Sequence, residues 1–577
     1  MLNRWRLTIF LSVMCLVAAI IIGRLFYVQV LNHKLYSALA LGQQAGFEEI
    51  QGIRGQIFSE NSKESRGSQG NGDVKSLAIN KDKWLISAVP KNVKNKNGAA
   101  LVLSDIIHES TESIMTKLDK PDSYTIIKKE LSDQEVAAVK NVLSNNNTAT
   151  SEKLTGISLE NSPGRYYPQE EMASQLIGFL GAADNQGQYG IEGYYDDLLK
   201  GKTGIKENKK GLSVIDTTKQ ADLNGSDLYL TIDYNIQFQA ESLLKEEKKK
   251  DDIESGQIIV LKPDSGRVLA LANFPSFNLN AYSKENDLAV FQNSAVQKLF
   301  EPGSVFKPFT MAMALQENKV TPETTFVDTG SVTIGPDTVY NFDHEKYGKQ
   351  TMSGILEKSI NTGAVFLSQK LAHQTFMDYV DKLGFGEKTG IDVQGEVSSK
   401  NDMLRNGSAF GFATASFGQG IEMTPIQLAR AFCIFANDGR YPKPYVVEKI
   451  THGTDTQTTQ SVISSQIVSS NTISQVNQML INVVERGFGD GAKIPGYYLA
   501  GKTGTAQVPF ENKKGYYPDK TIQSFVGYGP ALKPQFLILV KLDDPKVPKS
   551  ALSAVPIFKK LAQYIINYWQ IPPDYTK

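Results

Sequence analysis

"SGQIIVLKPDSGRVLALANFP", residues 255–275, decides the fold. Two apolar runs flank "PDSGR", whose Pro, Asp and Gly are turn formers, so the segment reads as two strands joined by a turn. Just upstream, "LYLTIDYNIQFQAESLLKEEKKKDD" (228–252) reads as a strand followed by an amphipathic helix. Far downstream, "QSFVGYGPA" (523–531) and "QFLILVKLDD" (535–544) read as adjacent strands, and "SAVPIFKKLAQYIINYW" (553–569) as a terminal helix. Strands at both ends with helices between them predict an α+β domain on an antiparallel sheet flanked by helices, spanning 227–577.

The first thirty residues differ from the rest. "MLNRWRLTIFLSVMCLVAAIIIGRLFYVQV" places Arg4 and Arg6 before an uncharged run from Leu7 to Gly23. No small-x-small cleavage site follows, so the segment predicts an uncleaved N-terminal transmembrane helix at 7–30 with a short tail at 1–6, and the weak charge bias around it leaves the orientation open. Residues 31–50 read as a helical stalk and 58–75, "FSENSKESRGSQGNGDVK", as a polar loop. Residues 76–160 mix short strands with helical pieces and 161–215 are dense in Gly, Tyr and Pro, so the region before 227 reads as a folded but irregular α/β module.

Composition removes several function classes. The 577 residues balance 61 basic against 61 acidic side chains, which gives no charge-based pull towards nucleic acid. Cys15 and Cys433 are the only cysteines and are too far apart in character to pair. The five histidines, 33, 108, 344, 373 and 452, form no spaced cluster, so no metal is expected.

Chemistry is concentrated in three short segments. "EPGSVFKPFT" (301–310) sets Ser304 and Lys307 one helical turn apart, where a lysine amine of lowered pKa can take the serine proton. Alone, that spacing more often marks an exposed N-terminal turn with a solvent-facing lysine. "EKSINTG" (357–363) adds Ser359 and Asn361, and "GKTGTAQ" (501–507) adds Lys502, Thr503, Gly504 and Thr505 on an expected edge strand. Lys-Thr-Gly occurs twice more. At 202–204 it follows "YYDDLLKG" and reads as a helix C-cap and turn; at 388–390 it reads as a surface turn. Only 502–504 has a glycine-flanked strand context, followed by two further strands. Gly418 and Gly420 either line the site or mark a turn, Arg165 and Glu192 read as a structural ion pair, and Phe306 as core.

Ser-x-x-Lys, Ser-x-Asn and Lys-Thr-Gly in this order form the penicillin-recognising serine acyltransferase signature. The chain resembles the class B penicillin-binding proteins, the peptidoglycan D,D-transpeptidases, over essentially its full length. The resemblance is carried by "RGQIF" (54–58), "GRYYP" (164–168), "GIEGYYDDLLKG" (190–201), "EPGSVFK" (301–307), "GFGEKTGIDVQGE" (384–396) and "SFGQGIEMTPIQLARAF" (416–432). "GAVFLSQKL" (363–371) looks more like the septal, cell-division branch. The chain departs from the family at 58–62, where "FSENS" stands in place of the usual "DRNG".

The resemblance implies a C-terminal penicillin-binding transpeptidase domain at 227–577 behind a non-catalytic, dimerisation-like pedestal at 31–226. It also implies a single-pass protein of the cytoplasmic (inner) membrane with an extracytoplasmic, periplasmic catalytic domain. Ser304 would attack the D-Ala-D-Ala carbonyl, with Lys307 as base and Lys502 as a second cation. Ser359 would relay the proton and Asn361 orient Lys307. Thr503, Gly504 and Thr505 would hold the substrate, and the Ser304 and Thr505 N–H groups would form the oxyanion hole. No cofactor is implied. Implied partners are peptidoglycan stem peptides (lipid-linked or nascent), β-lactams as covalent inhibitors, and a membrane glycosyltransferase of the shape, elongation, division and sporulation group with other division proteins. The competing readings are an elongation-type transpeptidase, a D,D-carboxypeptidase, a β-lactam sensor, and a division scaffold with a dead site.

Overall fold

The computed structural model describes residues 4–27, 47–60, 74–121, 124–144, 154–181, 185–207, 223–405, 407–510 and 515–575. The chain divides into two compact units: Met1–Gly55 with Tyr195–Leu228 and Ile450–Gln457, and Gln56–Tyr194 with Tyr229–Lys449 and Thr458–Lys577.

The first unit overturns the anchor. Residues Arg4–Phe26 form a helix, but no helix among the described residues is long and apolar enough to cross a membrane. The physical reason is length: the uncharged run Leu7–Gly23 rises only about 25 Å, against ~30 Å of hydrocarbon, and Arg4, Arg6 and Arg24 bracket it. The expected transmembrane helix and the single-pass inner-membrane placement with its periplasmic domain are therefore not supported. The expected stalk falls on 31–46, outside the described residues, and its end is a strand. Phe47–Gln51 pairs antiparallel with Thr203–Glu207, Ile50 opposite Gly204. The "GKTG" of 201–204 is thus a helix end that runs into a strand rather than into a turn, since Thr203 and Ile205 favour extended backbone.

In the second unit, the pedestal core forms around the long strand Val74–Ala88, which pairs antiparallel with Ile157–Tyr166 and with Thr125–Lys128. Val74 also pairs with Glu60, so the ends of the expected 58–75 loop are strand, while 61–73 lie outside the described residues. Helices Lys96–Ile107, Thr111–Leu118 and Asp133–Ser144 bury Leu103, Ile107, Ile114, Leu118 and Val139 around Ile86. Arg165 and Glu192 form a fully buried ion pair at 2.6 Å.

The C-terminal part is built on five antiparallel strands: β1 (Ser255–Leu261), β2 (Val268–Phe274), β3 (Ala500–Pro509), β4 (Tyr516–Gly529) and β5 (Phe536–Asp543), in the order β2-β1-β5-β4-β3. Every residue of β5 is buried, which explains its near-continuous apolar sequence. Ile538, Val540 and Leu542 point into a core closed by the helices Tyr234–Asp251 and Ala554–Tyr568. Leu537, Leu539 and Lys541 alternate to the other face. There Tyr528, opposite Leu537, meets Phe432 of the helix Pro425–Ala436. Lys502 and Gly504 share this second face, because Gly504 lies opposite Ser524 and Ser524 opposite Lys541.

Helix α1 (Lys307–Gln316) follows a 3₁₀ turn, Gly303–Phe306, and has Pro308 in its first turn, where a missing N–H costs nothing. Lys307 to Leu315 are all buried, so this helix has no polar stripe. Phe306 packs with Phe309, Phe376 and Phe385. Two further helices frame the site: α2 (Met352–Glu357), capped by Thr351, and α3 (Asn361–Ser368).

Candidate active site

Ser304 sits in the 3₁₀ turn, where side chains three apart eclipse, so Ser304 and Lys307 share a face. The turn is fixed by the Gly303 N–H donating to the Gly418 carbonyl at 2.9 Å. Gly418 has φ +82°, and a Cβ there would stand 2.1 Å from the Gly303 oxygen, so "SFGQG" marks a turn in close contact with the Ser304 segment. Asn361 opens α3, and Ser359, between α2 and α3, has a left-handed backbone (φ 55°) that turns its hydroxyl inward.

Lys307 is fully buried. Its amine donates to the Ser359 carbonyl, to Ser359 Oγ at 3.2 Å and to Asn361 Oδ1 at 2.8 Å. The Lys307 N–H donates to the Ser304 carbonyl and closes the turn, but among the described residues Ser304 Oγ has no hydrogen bond to Lys307 Nζ, whose donors are directed at Ser359 and Asn361. Lys502, also fully buried, donates to Ser359 Oγ at 2.9 Å, and to the Thr503 carbonyl and hydroxyl at 3.0 and 3.1 Å. Two amines therefore converge on one serine oxygen, and among the described residues no carboxylate bonds to either. Burial, then the Lys502 charge, holds the Lys307 amine well below the ordinary lysine value. Burial alone pulls Lys502 down to about 7.

Gly504 lets β3 lie against the serine turn: a Cβ there would fall 2.7 Å from Val305 Cγ2 and 3.0 Å from the Pro302 carbonyl. Thr505 and the buried Ser550 exchange hydrogen bonds at 3.4 Å, hydroxyl to hydroxyl and Ser550 N–H to Thr505 Oγ1. Ser550 carries no sequence signal, because it lies in the irregular stretch between β5 and the last helix.

A cleft of about 650 Å³ exposes Ser304, Ser359, Asn361, Thr503 and Thr505 to one space. A second cleft of about 720 Å³ adjoins it and shares Asn341, Phe342, Asn361, Phe417, Gln419 and Thr505. The two arms thus meet beside the serine. Of the other Lys-Thr-Gly copies, the one at 388–390 lies away from these clefts: the buried Thr389 bonds through its N–H and hydroxyl to Glu396.

Residues 256–563 match the penicillin binding protein transpeptidase domain, and 49–230 match the penicillin-binding protein dimerisation domain. The chain is 30% identical over 557 residues to stage V sporulation protein D of Bacillus subtilis, covering 94% of this chain and 82% of that protein. It is 32% identical over 431 residues to the peptidoglycan D,D-transpeptidase FtsI of Buchnera aphidicola, covering 73% of each. Penicillin-binding protein 3 of Mycobacterium tuberculosis in complex with aztreonam has the same fold, with a TM-score of 0.68 and 24% identity, covering 92% of this chain and 98% of that one.

Proposed function

This chain belongs to the class B penicillin-binding D,D-transpeptidases, and from that premise we propose which of its residues carry the reaction. The activity is the crosslinking of peptidoglycan stem peptides through a serine acyl-enzyme, and β-lactams are ligands of the enzyme. Ser304 Oγ attacks the carbonyl carbon between the two D-alanines while its proton passes to the neutral amine of Lys307. The N–H groups of Ser304 and Thr505 hold the oxyanion. The C–N bond then breaks, and Ser359 relays a proton from the two amines to the departing D-Ala nitrogen. Lys502, Thr503 and Thr505 hold the terminal carboxylate, Gly504 gives it room, and Asn361 orients Lys307. An amino group of a neighbouring stem peptide attacks the ester, and Ser304 recovers its proton.

One observation supports this reading above the rest: two buried amines without a carboxylate meet at Ser359 Oγ, beside the Ser304 turn. A lysine salt-bridged to an acid would be a cation and no base. The sequence motifs and matched spans support a catalytic domain at 227–577 and a pedestal at 31–226. The FtsI relative supports a role in septal wall synthesis, and the family resemblance implies a membrane glycosyltransferase of the shape, elongation, division and sporulation group as its partner. A relative named for sporulation sets wall synthesis during sporulation beside that reading.

The test is intact mass after incubation with benzylpenicillin. The native chain should gain one covalent adduct and Ser304→Ala none. A folded native protein without an adduct, or an adduct that persists in Ser304→Ala, would remove Ser304 as the nucleophile.

A further inference from the structure

Asp328 ends the strand Thr325–Asp328 and is 3% exposed, yet among the described residues no basic side chain bonds to it. It is satisfied by neutral donors: Gly330 N–H at 3.0 Å, Asn341 Nδ2 at 2.9 Å to each carboxylate oxygen, Tyr347 N–H at 2.8 Å and Thr362 Oγ1 at 2.6 Å. These donors come from four places in the chain: the turn after the strand, the end of the hairpin Ser331–Tyr340, the segment before the strand Gly348–Thr351, and the first turn of α3. Only an ionised carboxylate offers enough lone pairs to accept them all. Burial pushes the Asp328 carboxyl up, but these bonds outweigh it and leave the group below its ordinary value.

The cluster reaches the reacting centre by two routes. Asn341 Oδ1 accepts from the Thr362 N–H at 3.1 Å, tying the 340–347 segment to the start of α3. The Tyr340 carbonyl, one residue before Asn341, accepts from Asn361 Nδ2 at 2.9 Å. That bond fixes which way the Asn361 amide faces and leaves Oδ1 towards Lys307 Nζ, 2.8 Å away. The same segment forms a wall of both arms: Asn341 and Phe342 line each of them, and His344 and Tyr347 line one apiece.

We propose that Asp328 is a positioning residue for the acyl transfer, locking the 340–347 wall to the start of α3 and thereby aiming Asn361 at Lys307. The inference rests on the transpeptidase reading above and extends it to a residue outside the three motifs. A cluster that only stabilised a small β-subdomain would, when broken, lower the melting temperature and leave the acylation constant of the folded fraction unchanged.

Thr362→Val removes one donor to Asp328 without touching the cleft, Thr362→Ser keeps it, and Asp328→Asn removes the acceptor. A fluorescent penicillin reports the first-order acylation constant at saturation, normalised to the titratable folded fraction, with melting temperature recorded alongside. Misaiming a catalytic group by an ångström costs about ten- to a hundredfold in the chemical step, so Thr362→Val and Asp328→Asn should slow acylation by that factor. Thr362→Ser should stay within about twofold of the native rate, and the double variant should be little slower than the worse single, as coupled residues require. Native-like acylation in Thr362→Val, or Thr362→Ser as slow as Thr362→Val, overturns the inference. Should Asp328→Asn fail to fold, the Thr362 pair still decides. Failure of the native chain to acylate would instead overturn the underlying reading of Ser304.

Discussion

Lys307 and Lys502 are each completely enclosed, and that costs stability in return for a usable base. Lys502 has a folded pKa of about 7 against an ordinary 10.5, so between those values the folded state holds fewer protons than the unfolded one. Stability therefore rises with pH across that window, and the penalty is complete below about pH 7. Lys502→Met should accordingly stabilise the protein at neutral pH, by roughly 1–4 kcal/mol if it follows other exchanges of buried charge for apolar volume. The gain should fade as pH approaches 10.5, which thermal melts across pH 6–10 will check. The same substitution removes a cation that depresses Lys307. The Lys307 pKa then rises, and the acid limb of the acylation profile moves to higher pH, on top of an overall loss of roughly a hundredfold or more. An acid limb that stays in place would show that burial alone sets the Lys307 amine. The residues that carry these arguments were legible because they recur as short fixed spacings. Asp328 and Ser550 were not, since their partners come from segments far apart in sequence and no spacing announces them.

Secondary structure explains why the spacings work. The Ser304 turn and β3 approach closely only because Gly504 has no side chain. Gly504→Ala would place a Cβ 2.7 Å from Val305 Cγ2 and 3.0 Å from the Pro302 carbonyl. The turn must then move: acylation should fall about a hundredfold, with roughly 1–3 kcal/mol of overpacking, measured by penicillin labelling and thermal unfolding. A native rate in a folded variant would mean that the serine turn yields without losing its aim. At this scale, runs such as "QFLILVKLDD" read as strand because both faces are covered, while the N-terminal segment misled because apolarity was legible and sufficient length was assumed. The strand at 203–207 was missed because its partner, 47–51, carries no strand signal until the two are placed side by side.

Across the molecule, the pedestal segment and the catalytic segment within one unit each have their own apolar core. Arg165 and Glu192 lie in the former, at 2.6 Å and almost without solvent contact. Removing one member of such a pair leaves a buried charge, so Glu192→Gln should destabilise the protein by about 3–5 kcal/mol. Chemical denaturation with tryptophan emission tests this; a loss below about 1 kcal/mol would place the pair among those worth little. The ordered chemistry of the C-terminal half was legible in outline, whereas the pedestal's topology was not, because its strands pair over separations of some eighty residues (Ile79 with Tyr166).

The sheet stops at β3, which among the described residues has a strand neighbour only on the β4 side. Along Lys502–Gln507 an outer row of main-chain amides and carbonyls is therefore left to whatever extended chain lies beside it. Recognition by such a row uses main-chain groups, which most single substitutions in the host strand keep. Inhibitors shaped as strands, rather than as rings that trap the serine, would hold on to the part of this enzyme that resistance is least able to change.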